Sequence, residues 1–327
     1  MFSIFSPSST IWVYLSERWR DDHSMWPTAL SGMTDYASPP IAWYSVLGVP
    51  VAVSSDVVGA LECVDATYAA FRHAPGAPAE VFVARLLRLD LEDAFLVADS
   101  HGYQRRWPDA HAALLDLLDR IVHGVLARLY EQGIYAIHAG AVVYKGAALI
   151  IAGRSGQGKT TLVLGLLRRG LGLLSDEFAI ADSAQQLILP YRRSLHIRPG
   201  TPQLIPELAF LCDQPPQRLG GGIEWSLAPD QLARALPGGW GSAAPTRYVL
   251  LLDGPPRPQA DPALVPIPAA VTTLELLRGT WAASVDFGGG LARIGRLLDG
   301  VACARLRAGA LEPTLDVLIE WLEMHRD

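Results

Sequence analysis

Cysteine is scarce in this chain: Cys63, Cys212 and Cys303 are its full complement, widely spaced and odd in number. No Cys-x-x-Cys pair occurs and no two histidines stand at metal-ligand spacing, which excludes a disulfide framework, a structural zinc site and a transition-metal centre. Long apolar runs are missing as well. Nowhere do eighteen uninterrupted apolar residues occur, and the burst from Ile11 to Leu15 runs into Glu17, Arg18, Arg20, Asp21 and Asp22, so it is neither a signal peptide nor a spanning helix. The third absence is a basic excess. A net charge of −6 and a pI near 5.8 leave no domain-wide positive surface to neutralise the phosphates of a nucleic acid. Together these absences predict a cytoplasmic protein in a reducing setting, with neither nucleic acid nor membrane as partner; self-association stays open.

What is plentiful is apolar sequence: half of the 327 residues, enough for about two domains with sizeable cores. Residues 1 to about 40 mix Ser, Pro, Trp and charge without periodicity and read as a loosely ordered leader or one appended strand. Val46 to Ser54 and Glu80 to Leu89 are β-branched and apolar, hence strands, flanking a helix from Val57 to Phe71 that the turn Pro75-Gly76-Ala77-Pro78 ends. With a third strand from Ala94 to Ala98, they predict a small α+β domain over residues 1–108. Asp109 then caps the clearest helix of the sequence, with Leu114, Leu118, Ile121, Val125 and Leu129 as its apolar stripe, running to Gly133. Residues 109–327 form the second domain.

That second domain is organised around Gly153-Arg154-Ser155-Gly156-Gln157-Gly158-Lys159-Thr160-Thr161, which satisfies the phosphate-cradling pattern Gly-x-x-x-x-Gly-Lys-Ser/Thr. Its context fits, because a strand-length apolar run, Ala147 to Ala152, precedes it and Leu162, Val163, Leu166 and Leu167 follow at helical spacing. Glycines free the backbone to turn successive N–H groups inward beside a helix N-terminus. Lys159 then supplies a cation for the β- and γ-phosphates of ATP, and Thr160 a hydroxyl for Mg²⁺. Ile134 to Ile137 reads as a strand, His138-Ala139-Gly140 as a turn and Ala141 to Tyr144 as the next strand. After the loop's helix, Leu173-Leu174-Ser175 is a strand that ends in Asp176-Glu177, two carboxylates where metal and γ-phosphate would sit.

Three arginines follow within seven residues, in Arg192-Arg193-Ser194-Leu195-His196-Ile197-Arg198. Read as a strand, the run puts Arg192, Ser194, His196 and Arg198 on one face and Arg193 on the other. Guanidinium groups near a phosphate loop suit a second anion, either acceptor carboxylates or more nucleotide phosphate, and the acceptor is favoured because the loop already occupies the phosphates. Gln217 to Gly222 and Leu236 to Pro245 are glycine- and proline-rich loops of the kind that cover substrates. Beyond them lie a strand at Arg247 to Leu252, helices at Pro268 to Leu277 and Leu291 to Leu298, a strand at Val301 to Leu306, and an amphipathic helix from Leu311 to Met324.

The ordered set Ile137-His138-Ala139-Gly140-Ala141, Gly153 to Thr160, and Leu174-Ser175-Asp176-Glu177 resembles the catalytic core of HPr kinase/phosphorylase and its relatives, among them serine kinases encoded beside lasso peptides. The resemblance covers about residues 134 to 200. It implies a mixed α/β (α+β) fold, a P-loop kinase on a mixed sheet like that of nucleotide-dependent phosphoenolpyruvate carboxykinases, and not a doubly wound sheet. It further implies His138 as the active-site histidine, Lys159 as the phosphate-binding lysine and Thr160 as a Mg²⁺ ligand. Asp176 becomes the base for the acceptor serine, on a peptide or protein, with Glu177 as a second acid toward the metal. The residues leave open a small-molecule acceptor and a nucleotide-sensing module without catalysis.

Overall fold

Strand-forming alternation begins at Ile41, and the computed structural model describes residues 39–74, 81–89, 93–219, 222–280 and 286–325. Residues 1–38 of the expected leader and the Pro75–Pro78 turn lie outside them. By contacts the chain divides into two units, Met1–Arg128 with Leu219–Gly221, and Leu129–Arg218 with Gly222–Asp327. No helix among the described residues is long and apolar enough to cross a membrane.

In the first unit β1 (Ile41–Val46) turns through Leu47 and Gly48, both at positive φ, into β2 (Val49–Ser55), so the single predicted strand around Pro50 belongs to a hairpin. Helix α1 (Ala60–Tyr68) follows, and β3 (Phe82–Leu89), β4 (Ala94–Asp99) and β5 (Gln104–Trp107) complete a five-stranded sheet in chain order. Within it only β2 and β3 are parallel. Helix α2 (Ala110–Glu131) opens where expected: both carboxylate oxygens of Asp109 accept from the amides of His111 and Ala112. Its buried stripe is Ala113, Leu117, Ile121, Val125 and Leu129, with Leu114 and Leu118 only partly covered. The sequence put the boundary ahead of this helix, at Pro108; contacts group it with the first unit as far as Arg128. The reason is packing, since the Phe82 ring fills the space that Gly124 leaves and Tyr103 and Trp107 both donate to Asp116.

The second unit is built on an eight-stranded mixed sheet. Its strands are β6 (Ile134–Tyr144), β7 (Ala147–Ala152), β8 (Gly172–Ser175), β9 (Phe178–Asp182), β10 (Leu187–Leu189), β14 (Ala244–Leu252), β15 (Ala263–Pro266) and β16 (Ala302–Arg307). The order is β10-β9-β6-β7-β14-β16-β15, with β8 on the second half of β6. β7 is antiparallel to β6 and parallel to β14, so this is the mixed α/β architecture and not a doubly wound sheet. Strand β6 corrects one reading. It runs unbroken through His138, Ala139 and Gly140, expected as a turn. Gly140 serves close approach, because a Cβ there would come within 2.8 Å of Val163 on the helix above.

That helix, α3 (Lys159–Arg168), buries Leu162, Val163, Leu166 and Leu167, each contributing roughly 1.5–3 kcal/mol. A Cβ on Gly165 would sit 3.1 Å from Leu311 and Leu315 of α8 (Leu311–Met324), the terminal helix the sequence predicts. Between them run β11 (Leu195–Ile197), α4 (Thr201–Leu204), β12 (Gln217–Leu219), β13 (Gly222–Leu227), α5 (Pro229–Ala235), α6 (Ala269–Arg278) and α7 (Phe287–Leu297). β11, β13 and β12 make a separate small sheet, so the stretch after Gln217 carries strands on either side of residues 220–221, where a loop was expected.

Candidate functional site

The glycine-rich loop leaves the buried strand β7 and enters α3 at Lys159. Gly156 and Gly158 hold φ of 79° and 88°, values that side-chain-bearing residues avoid, and these let the loop reverse within a few residues. The side chain of Gln157 braces it from inside, its Oε1 accepting from the Arg154 amide at 2.6 Å. Gly153 must be glycine here, since a Cβ would meet that same Oε1 at 2.7 Å and Leu252 at 2.9 Å. Arg154, Ser155 and Gly156 are exposed at the loop's tip, and Thr160 is half-buried in the first turn of α3. Thr161 turns elsewhere: its hydroxyl lies 3.2 Å from that of Thr201.

Lys159 folds back into the loop. Its ammonium donates to the carbonyls of Gly153 at 2.7 Å and Arg154 at 3.3 Å, and it stands 3.4 Å from Nε2 of His138. Burial lowers its pKa, against the pull of Glu177 and Asp176. His138 is set by β6, with its amide donating to the Gly279 carbonyl at 2.7 Å and its ring edge-on to Phe178. Burial, then the neighbouring Lys159, push the imidazole down to about 4. It is therefore neutral at physiological pH and can accept from the ammonium, which assigns its proton to Nδ1.

The acids sit at the end of β8. Ser175 Oγ accepts from the amides of Glu177 and Phe178 at 3.3 and 3.1 Å, pinning the turn into β9 that presents both carboxylates. Asp176 is 6% exposed, and burial with the adjacent Glu177 raises it to about 6 although Arg193 and Lys159 oppose the shift. Glu177 goes the other way. Burial would raise it, but Arg193, then His138, His196 and Lys159, hold it below the usual carboxylate range.

The three arginines diverge. Only Leu195–Ile197 is a strand, and the Arg193 amide donates to the Tyr191 carbonyl in a tight turn, so the alternation assumed over the whole run breaks. Arg192 is exposed, its guanidinium 5.9 Å from the Trp240 ring centroid. Arg193, expected on the far face, is the buried one: its Nη2 pairs with Glu177 and lies 3.9 Å from Asp176 Oδ1. Arg198 is anchored by Glu224 at 3.1 Å and reaches Ser155 Oγ of the phosphate loop at 3.5 Å. Sequence reasoning missed Glu224, and it missed the turn after β14, where exposed Asp253 follows the strand parallel to β7 and Pro256 stands 3.2 Å from where a Gly158 Cβ would be. An acid closing a strand before Gly254-Pro255-Pro256 was the available signal.

The donor set fits a hard divalent cation on Thr160 and Asp176. Mg²⁺ commonly takes one or two protein oxygens and fills its shell with phosphate and water, and among the described residues no group of three His, Cys, Asp or Glu stands ready as a cage. Glu177 fits less well, because Arg193 already holds it.

No family model matches the chain, and no curated protein matches it. Among solved structures it is similar to the HPr(Ser) kinase/phosphatase of Coxiella burnetii, at 14% identity over 58% of this chain and 95% of that one, with a TM-score of 0.25.

Proposed function

We propose that this protein is a phosphotransferase that moves the γ-phosphoryl group of ATP to a hydroxyl, with a serine of a peptide or protein as acceptor. What carries the reading is one convergence: a phosphate-loop lysine and a buried aspartate with a raised pKa, delivered by β7 and β8 to either flank of β6. Phosphoryl transfer asks the protein mainly to position groups and neutralise charge. The loop amides and Lys159 would hold the phosphates, while Mg²⁺ on Thr160 and Asp176 would neutralise charge on the β- and γ-oxygens. Asp176 accepts the hydroxyl proton as the acceptor oxygen bonds to phosphorus and the bridging oxygen leaves with ADP. His138 keeps Lys159 aligned. Arg198, at the loop's tip through Ser155, serves the nucleotide phosphates in this reading, whereas the sequence favoured the acceptor.

Purified full-length chain, radiolabelled ATP and a panel of serine-containing peptides test the proposal. Label is expected in peptide with wild type, and Lys159→Ala is expected to abolish transfer and weaken nucleotide binding at unchanged folding. Wild-type affinity and turnover in that variant would overturn the reading. Nucleotide binding without transfer to any hydroxyl would leave a sensing module, and label in a small metabolite a small-molecule kinase.

A further inference from the structure

Two adjacent acids on one pinned turn are not equivalent here, and a single guanidinium makes the difference. Arg193 lies beneath both. It is 8% exposed, pairs through Nη2 with Glu177, and stops 3.9 Å short of Asp176. Its segment is tied to the strand that bears the acids, because the amide of Tyr191 donates to the Leu174 carbonyl at 2.7 Å and the Arg193 amide donates in turn to Tyr191. Guanidinium and carboxylates are thus held by the same few residues of backbone. An arginine is charged at every relevant pH, and its fork is pre-organised for a carboxylate, so the pair costs little rotamer freedom once built.

We infer that Arg193 is a positioning residue that holds Glu177 aside and cancels its charge, leaving Asp176 as the one carboxylate free to face the acceptor hydroxyl. The incoming phosphates then meet one acid without a close ion pair instead of two. This departs from the substrate-binding role the sequence suggests for Arg193 and from the metal role it suggests for Glu177. The inference rests on the phosphotransferase reading above. Its chemical content is an order of dependence: Arg193 is needed first because Glu177 is charged, with which it makes its close ion pair.

Steady-state kinetics with saturating acceptor decide it, using Arg193→Met, Arg193→Lys, Glu177→Gln and the double variant Arg193→Met/Glu177→Gln. Arg193→Met is expected to lower kcat about a hundredfold, with the KM for ATP moving less than about fivefold, the scale of a disabled general base. Glu177→Gln is expected to lose less than about tenfold. The double variant is expected to recover to within about threefold of Glu177→Gln, because the charge that required the arginine is gone; coupling of this kind is what a double-mutant cycle isolates. Arg193→Lys is expected to fall between wild type and Arg193→Met, since lysine gives Glu177 a point charge without the guanidinium's pre-organised fork.

A double variant as slow as Arg193→Met, or about a hundredfold slower than Glu177→Gln, would overturn the proposal and leave Arg193 a structural or ligand-binding group. Glu177→Gln as damaging as Arg193→Met would also overturn it, by making Glu177 a direct ligand. If Arg193→Met does not fold, the comparison of the neutral double variant with Glu177→Gln gives the same decision. Absence of transfer by wild type, with ATP bound, would instead locate the failure in the phosphotransferase reading, and the inference falls with it.

Discussion

Each unit buries an aspartate beside an arginine, and the two aspartates differ in how well they are satisfied. Asp116 in the first unit accepts from the Tyr103 hydroxyl at 2.8 Å and the Trp107 indole at 2.8 Å, and Arg120 lies 3.8 Å away. Asp176 in the second is more deeply buried, yet among the described residues no side chain donates a hydrogen bond to it and Arg193 stays at 3.9 Å. Burial raises the pKa of both. The lesson is that burial and a shifted pKa do not separate structure from function. Side-chain donors do differ: Asp116 accepts from Tyr103 and Trp107, while Asp176 accepts only from backbone among the described residues.

The largest expected effect breaks the comparison on the functional side. Asp176→Asn should cut phosphoryl transfer by about a hundredfold or more while nucleotide still binds, and Asp116→Asn should leave transfer within about threefold. Radiolabel transfer and ATP titration of the two variants read this directly; equal losses would erase the distinction. Stability is expected to respond in the opposite sense. Asp116→Ala strands the Tyr103 and Trp107 donors, while Arg120 keeps Asp119 at 2.9 Å, a loss of roughly 1–3 kcal/mol in denaturant unfolding.

The smallest expected effect is the most diagnostic. A carboxyl whose pKa is raised from 3.8 to about 6 by folding binds its proton more tightly in the folded state, so it costs stability progressively as pH rises from about 4 to about 6, and the full cost persists above that. Asp176→Asn removes that cost. The variant should therefore match wild type near pH 4 and exceed it by up to roughly 3 kcal/mol at pH 7, in thermal melts followed across that range. A variant less stable than wild type at pH 7 would make Asp176 a structural acid like Asp116.

How legible this was from the sequence varies by element. Asp109 and the stripe behind it announced α2, because a capping carboxylate and 3.6-residue periodicity are local properties. The final helix, Leu311–Met324, was readable to the residue for the same reason. His138 was found in order with the loop and the acids, but its strand was misread, since Gly140 looked like a turn when it was making room for Val163. The arginine run was misread more deeply. Alternation assumes an uninterrupted strand, and a hydrogen bond from Arg193 back to Tyr191 ends that assumption two residues before β11 begins.

By itself the sequence determined the glycine-rich loop, its strand and helix, and the acidic pair that follows, because each depends on residues within a few positions of one another: glycines where φ must be positive, a lysine at the helix start, carboxylates at a strand end. Only the tertiary structure decided which charge meets which. β6 pairs with both β7 and β8 and so brings His138, Lys159 and Asp176 together across 38 residues of chain, and a tight turn sends Arg193 under Glu177, Arg198 out to Ser155 and Arg192 to Trp240. Local patterns fix backbone conformation and burial. Partner choice among like-charged side chains depends on distances that exist only once the sheet has closed over the loop.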